Sequence, residues 1–351
     1  MNNYKKNDLR HSLIFDIPVF FPSGVENWNN QNLENMYGSF IECKYLYSID
    51  FSNFTPKFLK DTSKLFSSCE SLSEINLSDF DTTNVIYMNS MFYNCKHLTS
   101  VDISHFNTIN VKKMNSMFYN CLILESINVS NFDTTNVEDM SSMFCGCKSL
   151  TSIDVSHFNT INVEKMNSMF NGCELLETIN VSNFNTSKVK DLSYLFYYCK
   201  SLNVIELSNF DTRNVENMKS MFYSCSSLKS IDLSNFNTIK VNDMGSIFFY
   251  CSSLKSIDLS NFNTSNVINF QYLFYSASSL EYIDISSFTT NLTSLSLFAD
   301  QPTYGKIKVK KEFYGTKCRR TNRYKIRGVF RIVIGILLIL LSVWLSLPYF
   351  I

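Results

Sequence analysis

Glycine, proline and tryptophan are scarce in this chain: 9, 5 and 2 residues among 351. With so little glycine there is no Gly-rich loop to cradle a phosphate. Histidine is nearly as rare, with 4 residues. His105 and His157 occupy equivalent places two repeats apart, roughly 10 Å, too far to chelate one metal ion. No serine is singled out with a histidine and an acid, as a nucleophilic triad requires. Net charge is also absent, with 31 basic against 31 acidic residues. That balance conceals a split: 11 of the basic residues and a single acid, Glu312, fall between Lys306 and Arg331. The preceding part of the chain is therefore acidic and the end is basic, an asymmetry of membrane-associated or nucleic-acid-associated segments.

Repetition is what the chain has in abundance. Cysteines stand at Cys43, Cys69, Cys95, Cys121, Cys147, Cys173, Cys199, Cys225 and Cys251, one every 26 residues, and the next step falls on Ala277. A phenylalanine precedes each of these places by three residues, from Phe40 to Phe274. A second phenylalanine series runs from Phe54 to Phe288, and serine and threonine series run from Ser52 to Ser286 and from Thr82 to Thr290. Nothing is inserted or deleted along the way. A fixed period in this range marks a stacked array, in which each unit buries its apolar face only against its neighbours.

Two periodicities alternate inside a unit. In "LSEINLSDF", Ile75 and Leu77 flank Asn76, the inward-outward pattern of a strand. In "NVIYMNSMFYNC", Val85, Met88, Met91, Phe92 and Cys95 lie three or four residues apart, which predicts one face of a short helix or 3₁₀ turn. Asp81, Thr82 and Asn84 would cap it. The fold class expected is an α/β repeat: a solenoid with a parallel β-sheet on one side and short helices or 3₁₀ turns on the other. At about 4.8 Å per coil, ten coils span roughly 45–50 Å.

The spacing L-x-x-I-x-L-x-x-F resembles the leucine-rich repeat. The fuller unit, MF-x-x-C-x-x-L-x-x-I-D-L-S-N-F-x-T-x-x-V-x-x-M, is similar to the repeat of BspA-like leucine-rich repeat surface proteins, and the likeness runs from Met36 to Phe298. The resemblance implies a solenoid that binds macromolecules or host surfaces, with no catalytic residues. Where leucine-rich repeats usually carry an asparagine or cysteine series after the strand, this chain has phenylalanines such as Phe80 and Phe106, so the corner is expected to be filled by packing and not by hydrogen bonding.

Cysteines placed one per coil form a line, not the converging tetrahedron of a zinc site. Their side chains would point in parallel, which disfavours disulfides. They read as buried packing thiols. Cys145 lies two residues before the series and is expected to be an exposed thiol, and Cys318, among basic residues, is a candidate for lipidation. No metal or other cofactor is called for. The outward strand position carries Asp50, Asn76, Asp102, Asn128, Asp154 and Asn180, then Glu206, Asp232, Asp258 and Asp284. Stacked like charges repel, and the last four lack asparagines between them. These four are the candidate strip for a cation or a basic partner; the plainer reading is a solubilising face that deters sheet-to-sheet association. Uniform coils leave few distinctive positions, so Phe51 and Val204 are the other candidates for recognition.

The ends differ from the middle. Residues 1–35 read as an N-terminal cap, 36–300 as the solenoid, 301–328 as a basic juxtamembrane segment and 329–351 as a transmembrane helix. Ile332 to Ile351 carries no charge and is long enough to cross a bilayer. Basic residues before it and none after it place the solenoid in the cytoplasm by the positive-inside rule, whereas the family resemblance places it on the cell surface. The acidic repeat face argues against nucleic acid as a partner. The expectation is a non-enzymatic, membrane-anchored module that binds proteins or cell-surface macromolecules, in contact with the lipid bilayer through its C-terminal segment. The alternative is a cytoplasm-facing, tail-anchored scaffold.

Overall fold

The computed structural model describes residues 32–52 and 54–288, together with the backbone of 306–308. The chain winds in coils of 26 residues, and short parallel strands mark the same place in each sheet. β1 (Ser48–Asp50) pairs with β2 (Glu74–Asn76), Ile49 standing opposite Ile75. β3 (Thr178–Ile179) pairs with β4 (Val204–Ile205). β5 (Ser256–Asp258), β6 (Tyr282–Asp284) and β7 (Lys306–Lys308) form a three-stranded sheet in that order. The partners in the first pairs are 26 residues apart, but Lys306 stands opposite Tyr282 after only 24, so the last return is shorter.

The opposite side of each coil is not helical, and no α-helix occurs among the described residues. The five apolar residues Val85, Met88, Met91, Phe92 and Cys95 are buried as their spacing requires. Their backbone, however, sends alternate amides in different directions. Met88, Ser90, Phe92 and Asn94 donate to Lys113, Asn115, Met117 and Tyr119 of the next coil, while Met91, Tyr93 and Cys95 donate three residues back within their own coil. The side-chain offsets match a helix; the hydrogen bonds build a second parallel ladder, marked by pairings such as Asn35 with Asp61 and Tyr87 with Lys113. The alternation depends on two left-handed residues per coil, four apart, such as Ser90 (φ 58°) and Asn94 (φ 58°). All twenty such places in ten coils have positive φ, three of them glycine. The expected helix caps consequently do other things: the Asp81 carboxylate accepts from the Thr83 amide, and the Asn84 amide donates to the Lys57 carbonyl one coil back.

The core is a set of columns running the length of the stack. Phe66, Phe92, Phe118 and Phe144 stack with centroids 5.4–5.7 Å apart, and the series continues to Phe274. A second column includes Phe184, Phe210, Phe236 and Phe262 at 6.4–6.5 Å. Each such pair contributes about 0.5–1.5 kcal/mol beyond the area it buries. The corner is held by hydrogen bonds as well as by packing, which corrects the sequence expectation. The residue preceding this second phenylalanine supplies it: Asn183 donates to the Ser156 carbonyl at 2.6 Å, and Asn131 and Asn209 make the corresponding bonds.

Candidate functional site

The outward position at the end of each strand is a turn cap before it is anything else. Asp50 Oδ1 accepts from the Ser52 amide at 2.8 Å, and the same bond recurs in all ten coils down to Asp284 and Ser286. Asp102 and Asp154 also accept from the hydroxyls of Ser104 and Ser156. These bonds favour the charged form and hold both carboxyls below the ordinary range. Asp232 is lowered likewise, chiefly by the Ser234 amide. Asparagine makes the same bond from Asn76, Asn128 and Asn180, which accounts for the interchange of Asp and Asn along the series.

Of the four candidate acids, Glu206, Asp232 and Asp258 are exposed on the sheet side. Asp284 is not: it is 2% exposed, and its strand is followed by β7, which sets Lys308 opposite it in register. It therefore leaves the strip. Val204 is exposed beside Glu206, whereas Phe51 is buried among Phe40, Phe54, Phe66 and Phe80 and is excluded as a recognition residue. Among the described residues no group of three or more His, Cys, Asp or Glu side chains is arranged to hold a metal ion. His157 holds the Val129 carbonyl at 2.9 Å, occupying the place of the asparagine series.

The cysteine column is buried and reduced from Cys69 to Cys251. It does more than pack. The Cys95 thiol donates to the Phe66 carbonyl at 3.2 Å, and each later thiol does the same to the phenylalanine 29 residues earlier. Burial pushes these thiols up, so they stay protonated. Cys145 was expected to be exposed; it is 7% exposed, and burial pushes its thiol up to about 12. The threonines form a parallel device: Thr82 Oγ1 donates to the Asn107 carbonyl at 3.0 Å and accepts from the Asn107 amide at 2.8 Å.

Sequence reasoning missed the surface column just before each second left-handed residue. It contains Tyr93 and Tyr119, stacked at 4.7 Å and 7°, and a run of Tyr197, Tyr223, Phe249 and Tyr275 at 4.4–4.7 Å. Between the two runs stand Cys145 and Asn171, each followed by a glycine, Gly146 and Gly172. Ion pairs line the adjacent edge, with Lys96 on Glu70 at 3.1 Å and Lys200 on Glu174 at 2.6 Å. The Lys200 contact is the main reason that the Glu174 carboxyl lies below its ordinary range. The signal was available in the sequence as tyrosines recurring at the coil period.

These coils, with parallel ladders on two sides and a column of apolar side chains at each inward place, define a leucine-rich-repeat-like solenoid. The chain belongs to the family described as "Mycoplasma protein of unknown function, DUF285", whose model matches residues 11–127, 120–231 and 203–302. Similar solved structures include a leucine-rich repeat protein of T. pallidum, at 17% identity over 56% of this chain and 72% of that one, with a TM-score of 0.31. A leucine-rich cell surface protein of Faecalibacterium prausnitzii matches at 17% identity over 76% and 79%, TM-score 0.39. A leucine-rich repeat protein of Bacteroides ovatus matches at 19% over 78% and 86%, TM-score 0.33. At these scores no residue role or partner is carried across. No curated protein matches the chain.

The expected C-terminal span, the basic segment apart from Lys306–Lys308, most of the N-terminal cap and Cys318 lie outside the described residues. Within those residues no helix is long and apolar enough to cross a membrane.

Proposed function

We propose that this chain is a non-enzymatic, membrane-anchored binding module of the BspA-like kind, whose sheet-side face contacts proteins or cell-surface macromolecules. One observation carries the reading. Inward positions repeat from coil to coil, while the outward position that opens each strand is serine in six of ten coils and departs from it at Glu74, Thr178, Val204 and Tyr282. A rigid frame that presents a few distinctive side chains at fixed places suits recognition, because binding then orders little of the protein. Glu206, Asp232 and Asp258 supply a negative edge for a basic partner, as charge complementarity would require. The uncharged run Ile332–Ile351 is the membrane anchor, and the basic residues before it attract anionic lipid headgroups.

The test is capture of partners from cell-surface extracts by the full-length chain and by E206K/D232K/D258K. A partner retained by the first and lost by the second supports the reading; identical sets retained by both remove the acidic edge from it.

A cytoplasm-facing scaffold is the second reading, favoured by the 11 basic residues on the solenoid side of the apolar run. Protease added to intact cells separates the two. Trimming of the solenoid supports surface binding, and resistance until lysis supports the scaffold.

A further inference from the structure

We infer that the chain forms an antiparallel dimer through the tyrosine column of its turn side, about a two-fold axis passing between the coils of Tyr119 and Cys145. The surface that points to this is a knob beside a hole. Tyr119 stacks on Tyr93 and on no other ring among the described residues. The next ring of the column is Tyr197, three coils on, roughly 14 Å away. The two coils between carry Cys145 with Gly146 and Asn171 with Gly172. The hole is thus two coils wide, and it lies between the coils of two tyrosines. Its occupant must supply two flat groups spaced like neighbouring coils. Tyr93 and Tyr119 are such a pair, at 4.7 Å and 7°. Inserted from a second copy, they divide the gap into three aromatic spacings, each within the favourable range.

The rest of the column follows the same symmetry. With the axis between the coils of Tyr119 and Cys145, an antiparallel copy sets Tyr119 against Cys145 and Tyr93 against Asn171. One coil further out, Tyr197 meets Ser67, and beyond that Tyr223 meets Ile41. A large ring faces a smaller side chain at every one of these places. In the neighbouring column Asn94 meets Gly172 and Tyr198 meets Ser68, while Gly146 is already covered by the Asn120 amide of its own chain. So do the charges on the adjoining edge: Glu70 of one copy meets Lys200 of the other, and Lys96 meets Glu174. Each of these ions is already in a bridge within its own chain, Lys96 with Glu70, and Lys148 and Lys200 with Glu174, so the dimer joins a pair and a triad into a five-charge cluster. A closed two-fold contact of this kind is isologous, the same patch serving both copies.

The experiment is carbodiimide coupling of the full-length chain in mild detergent, using an equal mixture of ¹⁴N- and ¹⁵N-labelled protein. Lys96 and Glu174 lie three coils apart in one chain, roughly 14 Å, and Glu70 and Lys200 lie five coils apart, so neither pair can be joined within a chain by a zero-length reagent. Mixed-isotope Lys96–Glu174 and Glu70–Lys200 links are expected. Links between Lys96 and Glu70 of the same chain serve as the folding control. Filling the hole with Cys145→Tyr/Asn171→Tyr, or removing the knob with Tyr93→Ser/Tyr119→Ser, should lower the intermolecular links at least about tenfold while leaving the control unchanged. Ser67 and Tyr197 show that serine and tyrosine both fit this column. If either double variant fails the control, the other still decides. Mixed together, the knobless chain offers its open hole to the intact knob of the filled chain, so links should return between two proteins that form none alone. Absence of both links in the parent protein overturns the proposal, whether the hole is empty or takes some free aromatic ligand. Persistence of the links in a folded variant overturns it as well.

Discussion

The thiol of Cys147 donates to the carbonyl oxygen of Phe118, 3.1 Å away in the preceding coil. Because the bond crosses between coils, each cysteine ties its coil to the previous one, and the thiol has to remain protonated to do so. Native protein at neutral pH is therefore expected to alkylate at no ladder cysteine from Cys69 to Cys251, nor at Cys145, with all of them reacting after denaturation. Mass spectrometry of iodoacetamide-treated protein checks this. The pH dependence has a definite sign. Folding raises these thiol pKa values, so their stabilisation is complete below the unfolded thiol value of about 8.5 and is lost as pH rises through the folded values. For Cys145 the loss spreads from there up to about 12. Denaturant midpoints should fall on going from pH 8 to pH 11.

At the acid end the sign reverses. Asp102 and Asp154 have folded values below the unfolded one, chiefly through the Ser104 and Ser156 hydroxyls. Their stabilisation is present above the unfolded value of about 3.9 and is lost as pH falls through the folded values. The double variant Asp102→Asn/Asp154→Asn should unfold at the parental denaturant concentration at pH 7, because Asn180 already makes the same bonds to Ser182. Its acid-induced loss of stability between pH 5 and pH 2 should be smaller than the parent's. An unchanged acid limb would show that these two turns do not couple folding to protons.

Register gives a third expectation. Removing residues 140–165, one complete coil, joins Asp139 to Met166 and returns every later side chain to its column. The shortened protein should keep one cooperative transition, with a denaturant slope lower by roughly one tenth, as exposed area falls with coil number. Deleting Ser141 alone exchanges the roles of alternate amides from Ser142 onward: those aimed at the next coil would point along their own, and the reverse. Cooperative unfolding should be lost. Parallel urea titrations of the two deletions distinguish them.

Gly146 and Gly38 separate two costs of a side chain. Both have positive φ, 77° and 59°. A Cβ on Gly38 meets nothing nearer than Ile41 at 3.7 Å, whereas a Cβ on Gly146 would overlap Asn120 Oδ1. Gly38→Ala should cost about 1 kcal/mol of backbone strain. Gly146→Ala should cost more, about 2–3 kcal/mol, because it also displaces the Asn120 amide from Asn94. Chemical denaturation of both variants measures the difference.

The period, both phenylalanine columns and the cysteine column were legible because each depends only on counting residues. The turn side was not. A spacing of three and four places Val85, Met88, Met91 and Phe92 on one buried face whether the amides bond within the coil or across it, so periodicity cannot tell a helix from this ladder. The clue lay in Asn94, Asn120, Gly146 and Gly172 at a single coil position, residue types that tolerate positive φ. Cys145 misled because it was judged against the nearest cysteine, when its own column is that of Tyr93 and Tyr119. Asp284 misled because the final return is two residues short, a departure from the period that sequence repetition cannot announce.

Two left-handed residues in every coil restrict what the turn side can become. The twenty places hold only Ser, Tyr, Asn, Gly, Lys and Glu, with no valine, isoleucine, threonine or proline. Branched side chains are the ones that this backbone region penalises most. Drift on that side is thereby filtered by chirality, while strand positions such as Val204 are free of the filter. A substitution at one of the twenty places must tolerate the left-handed region, a condition that a substitution at Val204 does not face.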